Sequence, residues 1–178
     1  MIDPAIHLLL ALAFVALLAS AAAMKLRRPA IFVATLADYR LVPRALLPVT
    51  GMLVIALEVG VAAGLIWPTT RAASSVIGAG LLLAYGLAIA INLVRGRREI
   101  DCGCSLRRRP IGRWMVARNL IFAAVLLVIA LPVAPRALGV GDIATIAAGL
   151  LVLALLYGSL DLLLGRPGLR RPLSPEHS

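Results

Sequence analysis

The two cysteines of this chain stand one residue apart, in Asp101-Cys102-Gly103-Cys104, so any thiol chemistry it performs happens there. With a single glycine between them, a tight turn can bring the two Cα atoms to the ~4.4–6.8 Å that a disulfide needs. Gly103 supplies the backbone freedom for such a turn. So small a ring strains the bond, and strained or exposed disulfides are the exchange-prone kind. Arg97, Arg98, Arg107, Arg108 and Arg109 surround the pair with positive charge, which favours the reactive thiolate. The pattern therefore predicts a redox dithiol, with Cys102 and Cys104 as the exchanging groups and Asp101 beside them able to move a proton. A closed zinc site would need four ligands, and the two histidines, His7 and His177, lie at the far ends of the chain, so no metal is expected. An inert structural pair is the other alternative, but inert cysteines usually sit in apolar surroundings rather than among arginines.

The elements that must position this tetrapeptide are apolar runs on either side of it. Of 178 residues, 62% are hydrophobic and only 15% charged, with a mean hydropathy of +1.01. That composition specifies a membrane protein, because runs of about twenty apolar residues span the bilayer as helices. The formal charge of +10 does not point to nucleic acid, since the arginines cluster between and after the apolar runs, where they fix topology and meet anionic headgroups.

The sequence predicts an all-α, polytopic membrane helix bundle with a four-helix core plus a fifth C-terminal transmembrane helix. The expected spans are 5–24, 46–67, 72–94, 114–132 and 143–164. Residues 1–165 form one membrane domain, and 166–178 a basic, proline-rich tail expected to be disordered. Lys25, Arg27 and Arg28 follow the first run and no base precedes it, which favours a retained helix over a cleaved signal peptide. Between Lys25 and Pro48, apolar residues alternate loosely with polar ones, the pattern of a short interfacial helix or a re-entrant segment. Gly60 and Gly64 form a GxxxG that permits a tight helix crossing. Glu58 lies well inside the second span. An ionisable group at that depth is costly and reads as a proton carrier or the partner of a buried cation, against the simpler reading of a hydrogen bond between helices.

Basic residues collect in alternate connections: Lys25 to Arg44, the cysteine loop with eight arginines from Arg95 to Arg118, and the tail. With five spans all three fall on one face, which the positive-inside rule makes cytoplasmic. The amino terminus is then outside and the cysteine loop at the inner face.

With these residues in view, the sequence resembles the methylamine-utilisation protein family MauE, within the wider DoxX-like group of small bacterial membrane proteins. The resemblance rests on Lys25 after the first helix, Phe32 and Tyr39-x-x-x-Pro43 in the connection, and Glu58 in the second helix. Asn92-x-x-Arg95-Gly96, the Asp101-Cys102-Gly103-Cys104 core and Arg118-Asn119 complete it. The cysteine core with its two flanks is the specific part. One departure is that Ser105-Leu106 and three arginines follow the second cysteine, where members usually carry an aromatic and a glycine. The resemblance implies a multi-pass protein of the bacterial inner membrane that helps mature methylamine dehydrogenase, a periplasmic, disulfide-rich enzyme. It also implies a thioredoxin-like, membrane-anchored partner, and supporting roles for Lys25, Tyr39, Asn92, Arg95, Arg118 and Asn119. A cytoplasmic cysteine loop and a periplasmic client meet only if electrons cross the bilayer, if the cysteines are reached from outside, or if the charge rule misleads.

The leading expectation is a membrane thiol–disulfide oxidoreductase in which Cys102 and Cys104 exchange with a partner's pair while Glu58 or Asp101 moves the proton. A second redox partner is then required. A membrane quinone is the natural candidate, reached by elimination because the chain carries no haem or flavin motif. The alternative from another class is a non-catalytic assembly or scaffold factor for the same maturation pathway. A transporter would need more polar groups within the spans than Glu58, Asn92 and Arg118.

Overall fold

Pro4, Pro29, Pro48 and Pro68 each fall in the first two positions of a helix, where the missing N–H would have no intrahelical partner anyway. In the computed structural model, which describes residues 1–97 and 111–164, the elements are α1 (Pro4–Arg27), α2 (Pro29–Tyr39), α3 (Leu47–Ile66), α4 (Pro68–Val94), α5 (Arg113–Ile129) and α6 (Val140–Leu164). A single 3₁₀ turn, Arg44–Leu46, leads into α3. Pro4–Arg27, Arg44–Ile66, Pro68–Val94 and Val140–Ser159 are long and apolar enough to cross a membrane. The chain is therefore a helical, multi-pass membrane protein. Where the sequence predicts a span over 114–132, α5 has 17 residues, about 25 Å of helix. It stops at Ile129 just before Pro132, which cannot continue it.

Each turn is built from local chemistry. The Asp3 side chain accepts the Ala5 amide at 2.8 Å and caps α1. α2 is stopped by its C-cap Arg40, the one non-glycine described residue with positive φ (49°). α3 and α4 are separated by Trp67 alone, held extended by the proline that follows it. Arg71 then reaches back, donating from Nε to Leu65 O (2.8 Å) and from Nη2 to Ile66 O (3.0 Å). A guanidinium thus caps the negative end of α3. At the other end of α4, Gly96 N–H donates to Leu93 O and Arg97 N–H to Asn92 O, with Gly96 at φ 72°. This is a Schellman stop, and it explains the Asn92-x-x-Arg95-Gly96 pattern in structural terms.

The main core is a column of side chains from α1, α3, α4 and α5: Phe14, Leu18, Val61, Leu65, Leu82, Leu126 and Ile129, with small alanines between them. α2 lies across the start of α3, where a Cβ on Gly51 would stand 3.2 Å from Val33 Cγ2. α6 packs on α1, its Gly149 pressed against Leu9. The GxxxG reading needs correction. A Cβ on Gly60 would meet nothing within 4 Å, whereas one on Gly64 would fall 2.0 Å from Ser74 Oγ. Only Gly64 is a close approach, and it serves the α3–α4 hairpin.

The amino terminus is tied to the α5–α6 connection. Ile2 N–H donates to Pro132 O and Ala134 N–H to Ile2 O. Arg136 bridges Asp3 (3.0 Å) and Asp142 (2.8 Å).

Candidate functional site

From His7 onward the buried positions on α1 run His7, Ala11, Phe14, Leu18, Ala22, Lys25, at spacings of three or four. Both polar ends of this stripe are partnered. Lys25 ends it inside the protein rather than on the surface: it is 4% exposed, and its Nζ donates to Glu58 Oε1 at 2.5 Å. Glu58 is 1% exposed and lies 11 residues beyond Leu47, the start of α3 (58 − 47). That places it about 16 Å along the helix, near half the thickness of a hydrocarbon core. Tyr85 of α4 donates its hydroxyl to the same Oε1 at 2.8 Å. The Lys25 ammonium sits 5.2 Å from the Phe32 ring centre and 5.6 Å from that of Tyr85. Desolvated cation–π contacts of this kind contribute about 2 kcal/mol.

Three helices and α2 thus converge on one carboxylate, with two donors on one of its oxygens. Glu58 Oε2 is buried and has no hydrogen-bond partner. A bare anionic oxygen in an apolar interior is expensive, and a proton on Oε2 removes that expense. Oε2 is thus the one oxygen of this carboxylate without a hydrogen-bond donor, while Oε1 holds both Lys25 and Tyr85.

The other sequence-predicted residues fall into two groups. Asn92 is fully buried, donates to Ala88 O, and accepts from Arg97 Nη1 at 3.2 Å, while Arg95 caps α4. These residues shape the point where the chain leaves α4 for the cysteine segment. Asn119 is buried and donates to Met115 O at 2.8 Å; its Cβ would lie 3.4 Å from a Cβ on Gly86, so it marks the close α4–α5 crossing. Arg118 is partly buried, with its Nε lacking a partner. Tyr39 ends α2 and packs against Ile89 and Ile111 beside the same crossing. Asp101, Cys102 and Cys104 lie outside the described residues.

Sequence reasoning did not single out Tyr85, although a tyrosine within an apolar run signals a hydroxyl in need of a partner. Nor did it find the second polar cluster, at the opposite end of the α1 stripe. His7 is 5% exposed, and its Nε2 lies 2.8 Å from Ile129 O. A carbonyl only accepts, so Nε2 carries the hydrogen and Nδ1 faces Arg71 Nη1 at 3.4 Å as acceptor. Outside the spans, Asp3 is held below its ordinary carboxyl pKa, first by the Ala5 amide and then by Arg136. Arg136 is held above its ordinary value by Asp142 and Asp3.

Comparison with known proteins matches residues 3–134 to the family described as methylamine utilisation protein MauE. The methylamine utilization protein MauE of Methylophilus methylotrophus is 34% identical over 96% of this chain and 92% of its own length. Those of Paracoccus versutus and Methylorubrum extorquens are each 40% identical, over 93% and 80% of this chain and 90% and 79% of theirs. No solved structure matches the chain. Family match and relatives agree along the helices that build the buried Lys25–Glu58 centre, and this chain belongs to the methylamine utilisation protein MauE family.

Proposed function

We propose that this protein is an inner-membrane thiol–disulfide exchanger that serves maturation of methylamine dehydrogenase together with a thioredoxin-like, membrane-anchored partner. The observation that carries the reading is the Cys102-Gly103-Cys104 pair in its arginine-rich setting, with a buried, half-satisfied carboxylate in the same protein. One cysteine thiolate attacks a partner disulfide, forming a mixed disulfide and releasing one partner thiol. The second cysteine attacks the mixed bond, releasing the other partner thiol and leaving Cys102–Cys104 oxidised. The reverse sequence oxidises the partner instead. Regenerating the dithiol or the disulfide moves two electrons and two protons, and a lipid-soluble quinone/quinol couple balances that step. Glu58 and Asp101 are the proton-handling groups. Lys25 holds Glu58, and Tyr39, Asn92, Arg95, Arg118 and Asn119 support the cysteine segment and its flanking helices.

Membership of a methylamine utilisation family supports the client, and the apolar helices support the location. We read α5, extended by Ala130–Pro132, as a fifth crossing of a DoxX-like core, which puts the cysteine segment on the cytoplasmic side. The test is replacement of each cysteine. Cys102→Ser and Cys104→Ser should each abolish formation of active methylamine dehydrogenase while the variant stays in the membrane at normal abundance. Normal maturation in both variants would remove the exchange reading and leave an assembly role.

A further inference from the structure

Two polar clusters stand at opposite ends of the buried column, and the buried positions between them are apolar. On α1 every buried position between His7 and Lys25 is apolar: Ala11, Phe14, Leu18 and Ala22. On α3 the buried residues from Glu58 toward Arg71's acceptor Leu65 are Val61, Ala62 and Leu65 itself. On α4 Gly78, Ala79, Leu81 and Leu82 separate Ser75 from Tyr85. α5 closes the side with Ala123, Leu126 and Ile129. The ten helical steps of α4 from Ser75 to Tyr85 (85 − 75) amount to about 15 Å of helix without a buried polar side chain between them. A proton has no carrier across such a layer.

We infer that the Lys25–Glu58–Tyr85 centre is a proton-binding site that exchanges with one side of the membrane only, the side of the α1 C-terminus and the α4–α5 connection, and that the apolar column is its insulating plug. The movable group on that side is Lys25, buried at 4% exposure. Its backbone stands two residues before Arg27, the last residue of α1, while its ammonium reaches Glu58. From the α1 C-terminal side the group in the way is the flexible Lys25 side chain on the neighbouring Oε1, whereas reaching Glu58 from the His7 side means parting Leu18, Val61, Leu65 and Leu82. Among the described residues, the titratable and charged groups facing Glu58 are Lys25 from α1 and Tyr85 from α4. α2 presents the Phe32 ring to Lys25 and turns Asp38 outward. The inference extends the reading of Glu58 given above and rests on it only for what the proton is used for.

The experiment uses a full-length Cys102→Ser/Cys104→Ser background, so its outcome does not depend on thiol exchange by the native pair. Glu58→Cys is introduced and treated with anionic sulfonatoethyl methanethiosulfonate, which Lys25 attracts, on intact cells and on inverted vesicles. Arg28→Cys and Leu138→Cys report the two sides. Glu58→Cys should react from the Arg28→Cys side at least about tenfold faster than from the other, the least a charged reagent should lose to an apolar layer. Equal reaction from both sides, faster reaction from the Leu138→Cys side, or no reaction from either would overturn the inference. If Glu58→Cys fails to insert, infrared spectra of the Glu58-intact background protein in sealed, oriented vesicles replace it. A carboxylic acid C=O band, absent in Glu58→Gln, should follow the pH of the Arg28 side alone, and a band that follows the other side or is missing overturns the inference. A one-sided centre in this background, alongside normal maturation in the cysteine variants, would sink the exchange reading and leave this one standing.

Discussion

At the scale of single residues, the Lys25–Glu58 pair has a specific energetic signature. Neither charge is reached by water, so removing one partner leaves the other buried alone, which costs about 3–5 kcal/mol. Removing both charges together spares that loss. Lys25→Met should therefore lower the thermal unfolding midpoint in detergent strongly, and Lys25→Met/Glu58→Gln should recover most of it. A double variant as unstable as the single would show that the pair is not coupled. Glu58 was legible in the sequence because a carboxylate within an apolar run has few innocent explanations. Its partner was not. Lys25 reads as an interfacial charge after a helix, and only the fold of α2 beneath α1, bringing Phe32 to the ammonium, shows that it points inward.

At the scale of elements, glycines with different surroundings should respond differently. Gly64→Ala places a methyl against Ser74 and should cost about 1–3 kcal/mol as the α3–α4 hairpin is forced apart. Gly60→Ala meets nothing and should cost little, and comparing the two unfolding midpoints checks this. Gly96→Ala holds a Cβ in the left-handed region and should cost about 1–2 kcal/mol, fraying the last turn of α4 in hydrogen exchange. The sequence marks both glycines of the GxxxG alike, because spacing does not reveal which neighbour a helix face meets. Gly96 is marked by its motif, yet the motif suggests chemistry where the structure shows a helix stop. The terminal staple titrates with the opposite sense to a histidine switch. Asp3 is depressed in the folded protein, so its contribution is complete above its ordinary value of 3.8 and is lost as pH falls through the lower folded value. Protease access to the amino terminus should rise only in that acidic window, and Arg136→Ala should move the rise to higher pH.

At the scale of the whole molecule, charge and polarity are distributed by end. Arg27, Arg28, Arg40, Arg44, Arg95, Arg97 and Arg113 attach to one end of the bundle, and Arg71 and Arg136 to the other. If the first end is cytoplasmic, as the proposed five-crossing topology has it, a membrane-impermeant maleimide should label Cys102 and Cys104 in inverted vesicles and spare them in intact cells. The reverse pattern would turn the molecule over. This asymmetry is readable from composition alone, as are the long apolar helices. What composition hides is the tilt of α2 onto α3 and the shortness of α5, since both depend on where prolines halt a helix rather than on how apolar it is.

The seating of α6 carries one last consequence. It rests on α1 through Gly149 and Leu9, and it lies past residue 134, where the family match ends. A helix joined along one seam is an outrigger to the hull. Its removal should bare the Leu9 side of α1 while Lys25 and Glu58, held together by α1, α3 and α4 with the Phe32 ring of α2, keep their partners.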